Sequence, residues 1–205
     1  MTGRFISFEG IDGAGKSTHI QSVADWFRAR GADVQLSREP GGTPLAETLR
    51  DIVLKEPMGS LTELLLMFAG RRDHVETVIK PAIAAGKTLL CDRFTDASFA
   101  YQGGGRGLPL SVLDALADWV QEGTEPELTL WFDLPASQAA ARRASAREAD
   151  RIEQQDLEFF ERVRAGYAAR AAQAPHRIVR VDASGTVEQV GAQVLAVLEQ
   201  RYPTC

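Results

Sequence analysis

Eight consecutive residues, Gly10, Ile11, Asp12, Gly13, Ala14, Gly15, Lys16 and Ser17, fit the pattern G-x-x-x-x-G-K-S/T at every fixed position. An apolar, β-rich run (Phe5, Ile6, Ser7, Phe8) precedes them, and a helical pattern starts near Lys16. Glycines let such a loop curl so that several backbone N–H groups face one anion, and the helix N-terminus adds partial positive charge. This is the chemistry of a nucleoside triphosphate cradle. Gly10, Gly13, Ala14, Gly15 and Thr18 would line it, Lys16 would reach the β- and γ-phosphates, and the Ser17 hydroxyl would hold Mg2+.

Carboxylates and arginines recur at the ends of other apolar runs. Leu89, Leu90, Cys91 and Asp92 form one such run, and Leu130, Trp131, Phe132 and Asp133 another. Ligands of open parallel sheets bind beyond the carboxyl ends of strands, so both aspartates are candidates. Asp92 is followed at once by Arg93 and is the stronger metal-site candidate; Asp133 precedes Leu134 and Pro135 and reads as a helix cap. After another strand-like run stands Arg38-Glu39-Pro40-Gly41-Gly42-Thr43, in which Pro-Gly-Gly makes a turn and the Arg38 guanidinium could fork onto a phosphate. Further on, Met67, Phe68, Arg71 and Arg72 occupy i,i+3 and i,i+4 positions of a helical pattern. An apolar wall one turn from an arginine can flank and hydrogen-bond a flat heterocycle.

The elements that must position these groups alternate strand and helix, which describes a parallel α/β sheet covered on both faces. Strands are expected at 4–9, 33–37, 88–92, 127–132 and 177–181. Helices are expected at 15–30, 44–55, 61–85, 94–102, 110–122, 135–146, 154–174 and 186–200. Thr43 before Pro44 has the form of an N-cap with proline in the first turn. Ser60 with Glu63, and Thr186 with Gln189, have capping-box spacing. Residues 103–107 (Gly-Gly-Gly-Arg-Gly) are too glycine-rich for a helix and read as a loop. The arginine-dense stretch 142–151 reads as a mobile lid.

Composition sets limits. A chain of 205 residues is long enough for one domain with a substantial core. Its net charge of −5 argues against a broad nucleic-acid footprint. Lys16, Lys55, Lys80 and Lys87 are the only lysines, so other phosphate contacts must come from arginine. Two cysteines suggest neither a disulfide framework nor a metal site, and no signal-like or membrane-spanning run is visible. A cytoplasmic protein with no nucleic-acid or membrane partner is expected.

Five ordered motifs together resemble the thymidylate kinases: the Gly10–Ser17 loop with Asp12, REPGGT at 38–43, Asp92-Arg93-Phe94, AYQGGGRG at 100–107 and DRIE at 150–153. The resemblance runs from about Phe5 to about Ala183. It implies a P-loop fold with a five-stranded parallel sheet, helices on both faces and a short lid. It also implies a single kinase domain over 1–205, transfer of phosphate from MgATP to dTMP, and a homodimer. The arginine-rich stretch before DRIE resembles the bacterial type, whose lid supplies an arginine that the loop lacks; here the loop has Ala14.

By that resemblance Asp12 faces the acceptor's sugar and phosphate, Arg93 bridges donor and acceptor phosphates, and Arg38 contacts the acceptor phosphate. Arg142, Arg143, Arg147 and Arg151 compete as the lid arginine, with Arg147 favoured by its distance before DRIE. Asp150 and Glu153 would stand near the lid and help with metal. Arg71 would donate to the 4-oxo group of thymine, Tyr101 would crowd the sugar 2′ position, and Ser98 and Gln102 would be polar neighbours of the base. The chain departs from the family at Met67, where a stacking phenylalanine is usual, with Phe68 beside it. The competing readings are another P-loop nucleoside mono- or deoxynucleoside kinase and a non-catalytic P-loop switch. The first would lack REPGGT paired with AYQGGGRG; a guanine-reading switch needs an asparagine, and this chain has none.

Overall fold

The structure, a computed structural model, describes residues 3–143 and 150–203. Five strands, β1 (Arg4–Glu9), β2 (Val34–Arg38), β3 (Thr88–Asp92), β4 (Leu128–Asp133) and β5 (Ile178–Asp182), lie within one residue of the expected positions. They form one parallel sheet in the order β2-β3-β1-β4-β5. Strand periodicity sends alternate side chains to opposite faces. Phe5, Leu89 and Cys91 enter one apolar cluster with Val75, Ile79 and Ala82, while Ile6, Phe8 and Leu90 enter another with Val23, Ala24 and Phe27. Both faces are therefore covered, as a parallel sheet requires.

The helices are α1 (Lys16–Arg28), α2 (Pro44–Lys55), α3 (Ser60–His74), α4 (Lys80–Ala84), α5 (Thr95–Ser98), α6 (Leu110–Gln121), α7 (Ala136–Arg143), α8 (Leu157–Gln173) and α9 (Val187–Arg201). Thr43 caps α2 by accepting from the Ala46 N–H at 3.0 Å, and Thr186 with Gln189 closes the capping box of α9. Among the described residues no helix is long and apolar enough to cross a membrane.

Four local expectations are corrected. The helix expected over 61–85 is α3 and α4 joined by a π-helical turn, Val75–Ile79. The glycine run is helical too, because residues Phe99–Gly105 continue α5 as a π-helix. Intrinsic propensity disfavours glycine there, but packing overrides it. A Cβ on Gly104 would sit 2.8 Å from the Arg162 carbonyl oxygen, and one on Gly166 would sit 2.9 Å from the Ala100 Cα. The two helices thus approach through missing side chains, which carries AYQ toward the sheet edge. At α3 the N-cap is Gly59 with no side-chain bond, and Glu63 is buried in tertiary contacts. Asp133 does not cap α7 either. It accepts from Arg164 (2.6 Å) and Arg180 (2.7 Å), and the Ala136 N–H is taken by Glu161 instead.

Candidate functional site

The loop after β1 is built to receive an anion. Gly10 has φ 134°, and a Cβ there would meet the Phe132 carbonyl oxygen at 2.4 Å, so only glycine fits. Gly15, at φ 86°, turns the chain into α1, whose N-terminus has no side-chain cap and no acidic residue in its first turn. Those free N–H groups and the positive end of the helix dipole remain available for phosphate. Ser17 and Thr18 are exposed at this end, while Ala14 is buried. The Lys16 Nζ folds back onto the carbonyls of Gly10 (3.1 Å) and Ile11 (3.5 Å). Burial, and next the charge of Arg93, lowers its pKa against the opposing pull of Asp92, Asp12 and Glu9. Bound phosphate would replace carbonyl dipoles with full negative charge and restore the ammonium's preference.

Asp92 ends β3 directly beside β1, in register with Phe8. Its Oδ1 is buried and has no hydrogen-bond partner among the described residues. An orphaned carboxylate oxygen and a strand-to-helix hydroxyl are hard donors, which suit Mg2+ held partly by substrate phosphates. Glu153 is used differently. Its carboxylate accepts from the Asp150 N–H (3.1 Å), while Asp150 accepts from the N–H groups of Ile152 and Glu153. Among the described residues no three His, Cys, Asp or Glu side chains converge as a metal-holding group.

Arg93 stands between the loop and a second depression. Its guanidinium donates to Asp12 Oδ1 (2.8 Å), to the Tyr101 hydroxyl (3.1 Å) and to the Tyr167 hydroxyl (3.1 Å). The Tyr167 hydroxyl in turn donates to Glu9 Oε2 at 2.8 Å. Neither Glu9 nor Tyr167 carries a motif signature; both are visible only as polar residues inside apolar patterns.

The depression is an open cleft enclosing ≈ 710 Å3 of empty space, the solvent at its mouth included. Asp12 and Arg93 stand on its wall, as do Met67, Arg71, Ser98, Tyr101 and Gln102. Arg71 is held rigidly: its Nε donates to Glu39 (2.7 Å), and one terminal nitrogen donates to Ser98 Oγ (3.0 Å) and the Phe94 carbonyl (3.2 Å). His74 braces Glu39 from behind at 2.9 Å. The other terminal nitrogen, Nη1, is buried without a partner among the described residues, and so is the Gln102 carbonyl oxygen Oε1.

Two expected members do not face the cleft. Arg38 is half-exposed and forks onto Glu47, through Nε at 3.2 Å and a terminal nitrogen at 2.8 Å. Phe68 is buried among Leu64, Phe99 and Leu113, with the Arg71 guanidinium 4.6 Å above its ring. Met67 is therefore the wall and Phe68 its support. Arg147 lies outside the described residues, as does most of the 142–151 stretch. In place of Arg38 the cleft contains Arg50 of α2, donating to the Pro40 carbonyl at 2.8 Å. No motif marks Arg50, and only a helix turn bringing position 50 under the Pro40 loop reveals it.

A triphosphate cradle at the carboxyl end of a parallel sheet, with a second cleft joined to it through Arg93, defines a P-loop nucleotide kinase. The family model described as Thymidylate kinase matches residues 8–194. A thymidylate kinase from Paracidovorax citrulli is 56% identical over 97% of this chain and 94% of its own length. One from Chromobacterium violaceum is 52% identical over 97% of this chain and 94% of its own. The crystal structure of a thymidylate kinase from Ehrlichia chaffeensis superposes with a TM-score of 0.79 at 35% identity, covering 97% of this chain and 99% of that one. The chain belongs to the thymidylate kinase family, ATP-dependent nucleoside monophosphate kinases that phosphorylate dTMP to dTDP. The readings as another P-loop kinase or as a non-catalytic switch are not favoured.

Proposed function

We propose that the loop at 10–18 holds ATP, that the cleft holds dTMP, and that Arg93 spans the phosphates between them. The observation that carries this reading is the pair of unpartnered buried groups in the cleft, a donor at Arg71 Nη1 and an acceptor at Gln102 Oε1. Thymine offers the complement, a 4-oxo acceptor beside an N3–H donor. Cytosine presents an amino donor and an N3 acceptor, so both site groups would be left unpaired, a mismatch that discriminates strongly. Met67 would form the apolar wall and Tyr101 would crowd the sugar.

Transfer in such a site needs positioning and charge neutralisation more than covalent chemistry. Lys16 and Arg93 draw the outer phosphates together, Asp12 orients Arg93, and Arg50 supplies the acceptor-side guanidinium that Arg38, engaged by Glu47, does not. Ser17 and Asp92 would hold Mg2+, which neutralises charge on the donor phosphates. The chain is read as a single kinase domain with a lid near 142–151, and Arg147 remains the proposed lid arginine. A homodimer through α3 and α6 is proposed from exposed apolar side chains on both helices, Leu61 and Leu65 on one, Leu110, Val112 and an 82%-exposed Trp119 on the other. A cytoplasmic location goes with dTTP synthesis.

The test is ADP release with MgATP against dTMP, dUMP, dCMP, UMP and AMP. dTMP should lead, with dUMP about 10- to 200-fold lower in kcat/KM for want of the methyl group. A preference for dCMP or AMP would overturn the assignment of the cleft.

A further inference from the structure

We propose that Glu63, a residue outside the cleft, sets the base preference by fixing which end of the Gln102 amide faces the nucleotide. The inference rests on the reading of the cleft as the dTMP site. Glu63 is buried on α3, and its Oε1 accepts from Gln102 Nε2 at 2.9 Å. An ionised carboxylate only accepts, so it can hold only the NH2 end of an amide. The Gln102 carbonyl oxygen is thereby turned away from Glu63 and left without a partner at the cleft wall. Were the amide reversed, the cleft would present a donor at the same point, which suits the N3 of cytosine.

Two arginines keep Glu63 ionised. Arg151 donates to its Oε2 at 2.6 Å and Arg106 at 3.1 Å. Burial alone would raise the carboxyl pKa, but the bonds from Gln102 and Arg151 and the charge of Arg106 outweigh it and hold the value low. Two guanidinium groups that can only donate thus converge on Oε2, while Oε1 takes the amide NH2 at 2.9 Å and a longer bond from Arg106 Nε at 3.4 Å. Arg151 is itself tied down, donating through Nε to the Val53 carbonyl at 2.9 Å. Glu63 is a positioning residue; it touches neither nucleotide.

The test compares kcat/KM for dTMP and dCMP in wild type, Glu63→Gln and Glu63→Asp. In Glu63→Gln the two shorter arginine bonds, both at the Oε2 position, hold the single carbonyl oxygen there. The new NH2 then faces position 102, at the cost of the longer Arg106 Nε contact, and the Gln102 amide must reverse. The dTMP-to-dCMP ratio should fall about 10- to 100-fold, the scale of one buried unpaired group. The change should lie mainly in KM. Glu63→Asp keeps an acceptor-only group and should keep the ratio even if both rates drop together. A purely structural role would lower both substrates in parallel in each variant and leave the ratio untouched, which would overturn the proposal. Should Glu63→Gln not fold, Glu63→Ser releases the amide and is read the same way. A wild type without preference for dTMP over dCMP would instead defeat the reading of the cleft.

Discussion

Arg93 reaches Asp12 across 2.8 Å from a backbone held at φ 69°, in the left-handed region that a side chain this large seldom occupies. Neighbours over-determine that conformation. The Arg93 N–H donates to the Phe8 carbonyl (2.9 Å), and the Phe94 N–H donates to Glu9 Oε1 (2.7 Å). Strain of about 1–3 kcal/mol persists only where surrounding contacts enforce it, and here it aims a guanidinium between the phosphate loop and the cleft.

Removing that guanidinium should cost turnover more than stability. Arg93→Ala is expected to lower kcat by about 10³-fold or more, the scale of an arginine acting on a transferring phosphoryl group. Circular dichroism and single-turnover kinetics separate the two effects. Near-native turnover in a folded variant would refute the clamp.

The unpaired oxygen of Asp92 predicts a metal phenotype. Asp92→Asn should weaken apparent Mg2+ affinity about 10- to 100-fold, as loss of a carboxylate near a metal commonly does. Rates measured against free Mg2+ at saturating ATP would display the shift as a displaced midpoint. An unmoved midpoint would take Asp92 out of the metal site.

Helix contact through missing side chains makes Gly104 intolerant of a larger residue. Gly104→Val should destabilise the protein by about 1–3 kcal/mol through overpacking against Arg162. Urea denaturation measures this directly. A variant as stable as wild type would mean that the π-helix and α8 separate at little cost.

Glu9 gives stability a pH dependence. It is fully buried, and burial, reinforced by the charge of Asp96, raises its pKa from 4.5 to about 8 against the pull of Arg93. The folded state therefore binds this proton more tightly than the unfolded one. Its contribution is intact below pH 4.5 and is lost as pH rises toward 8. Glu9→Gln should flatten that decline when unfolding free energy is followed across the window. A decline of unchanged slope would exclude Glu9 as its source.

The five strands were legible because their apolar runs or alternations are short and each ends in a charged residue, Glu9, Arg38, Asp92, Asp133 or Asp182. The phosphate loop was legible because its chemistry needs glycine and lysine at fixed spacing within one segment. The site's other half was harder to read. Arg38 has the better motif, yet it pairs with Glu47 on α2, and Arg50, with no motif, lies in the cleft. Glu63 has the spacing of a capping residue three positions after Ser60, and a buried demand from Arg106, Arg151 and Gln102 claims it instead. Local propensity likewise gave no reason to continue a helix through Gly103, Gly104 and Gly105.

Sequence alone thus determined the fold class, the anion cradle and the family, since each depends on contacts within a few residues or on ordered motifs. Only tertiary structure decided that Arg50 rather than Arg38 lines the cleft, that Met67 rather than Phe68 walls it, and which partners Glu63 serves. Those outcomes are competitions among long side chains for a few buried carboxylates. They are settled by distances between elements that sit far apart in the chain, and residue order does not encode such distances locally.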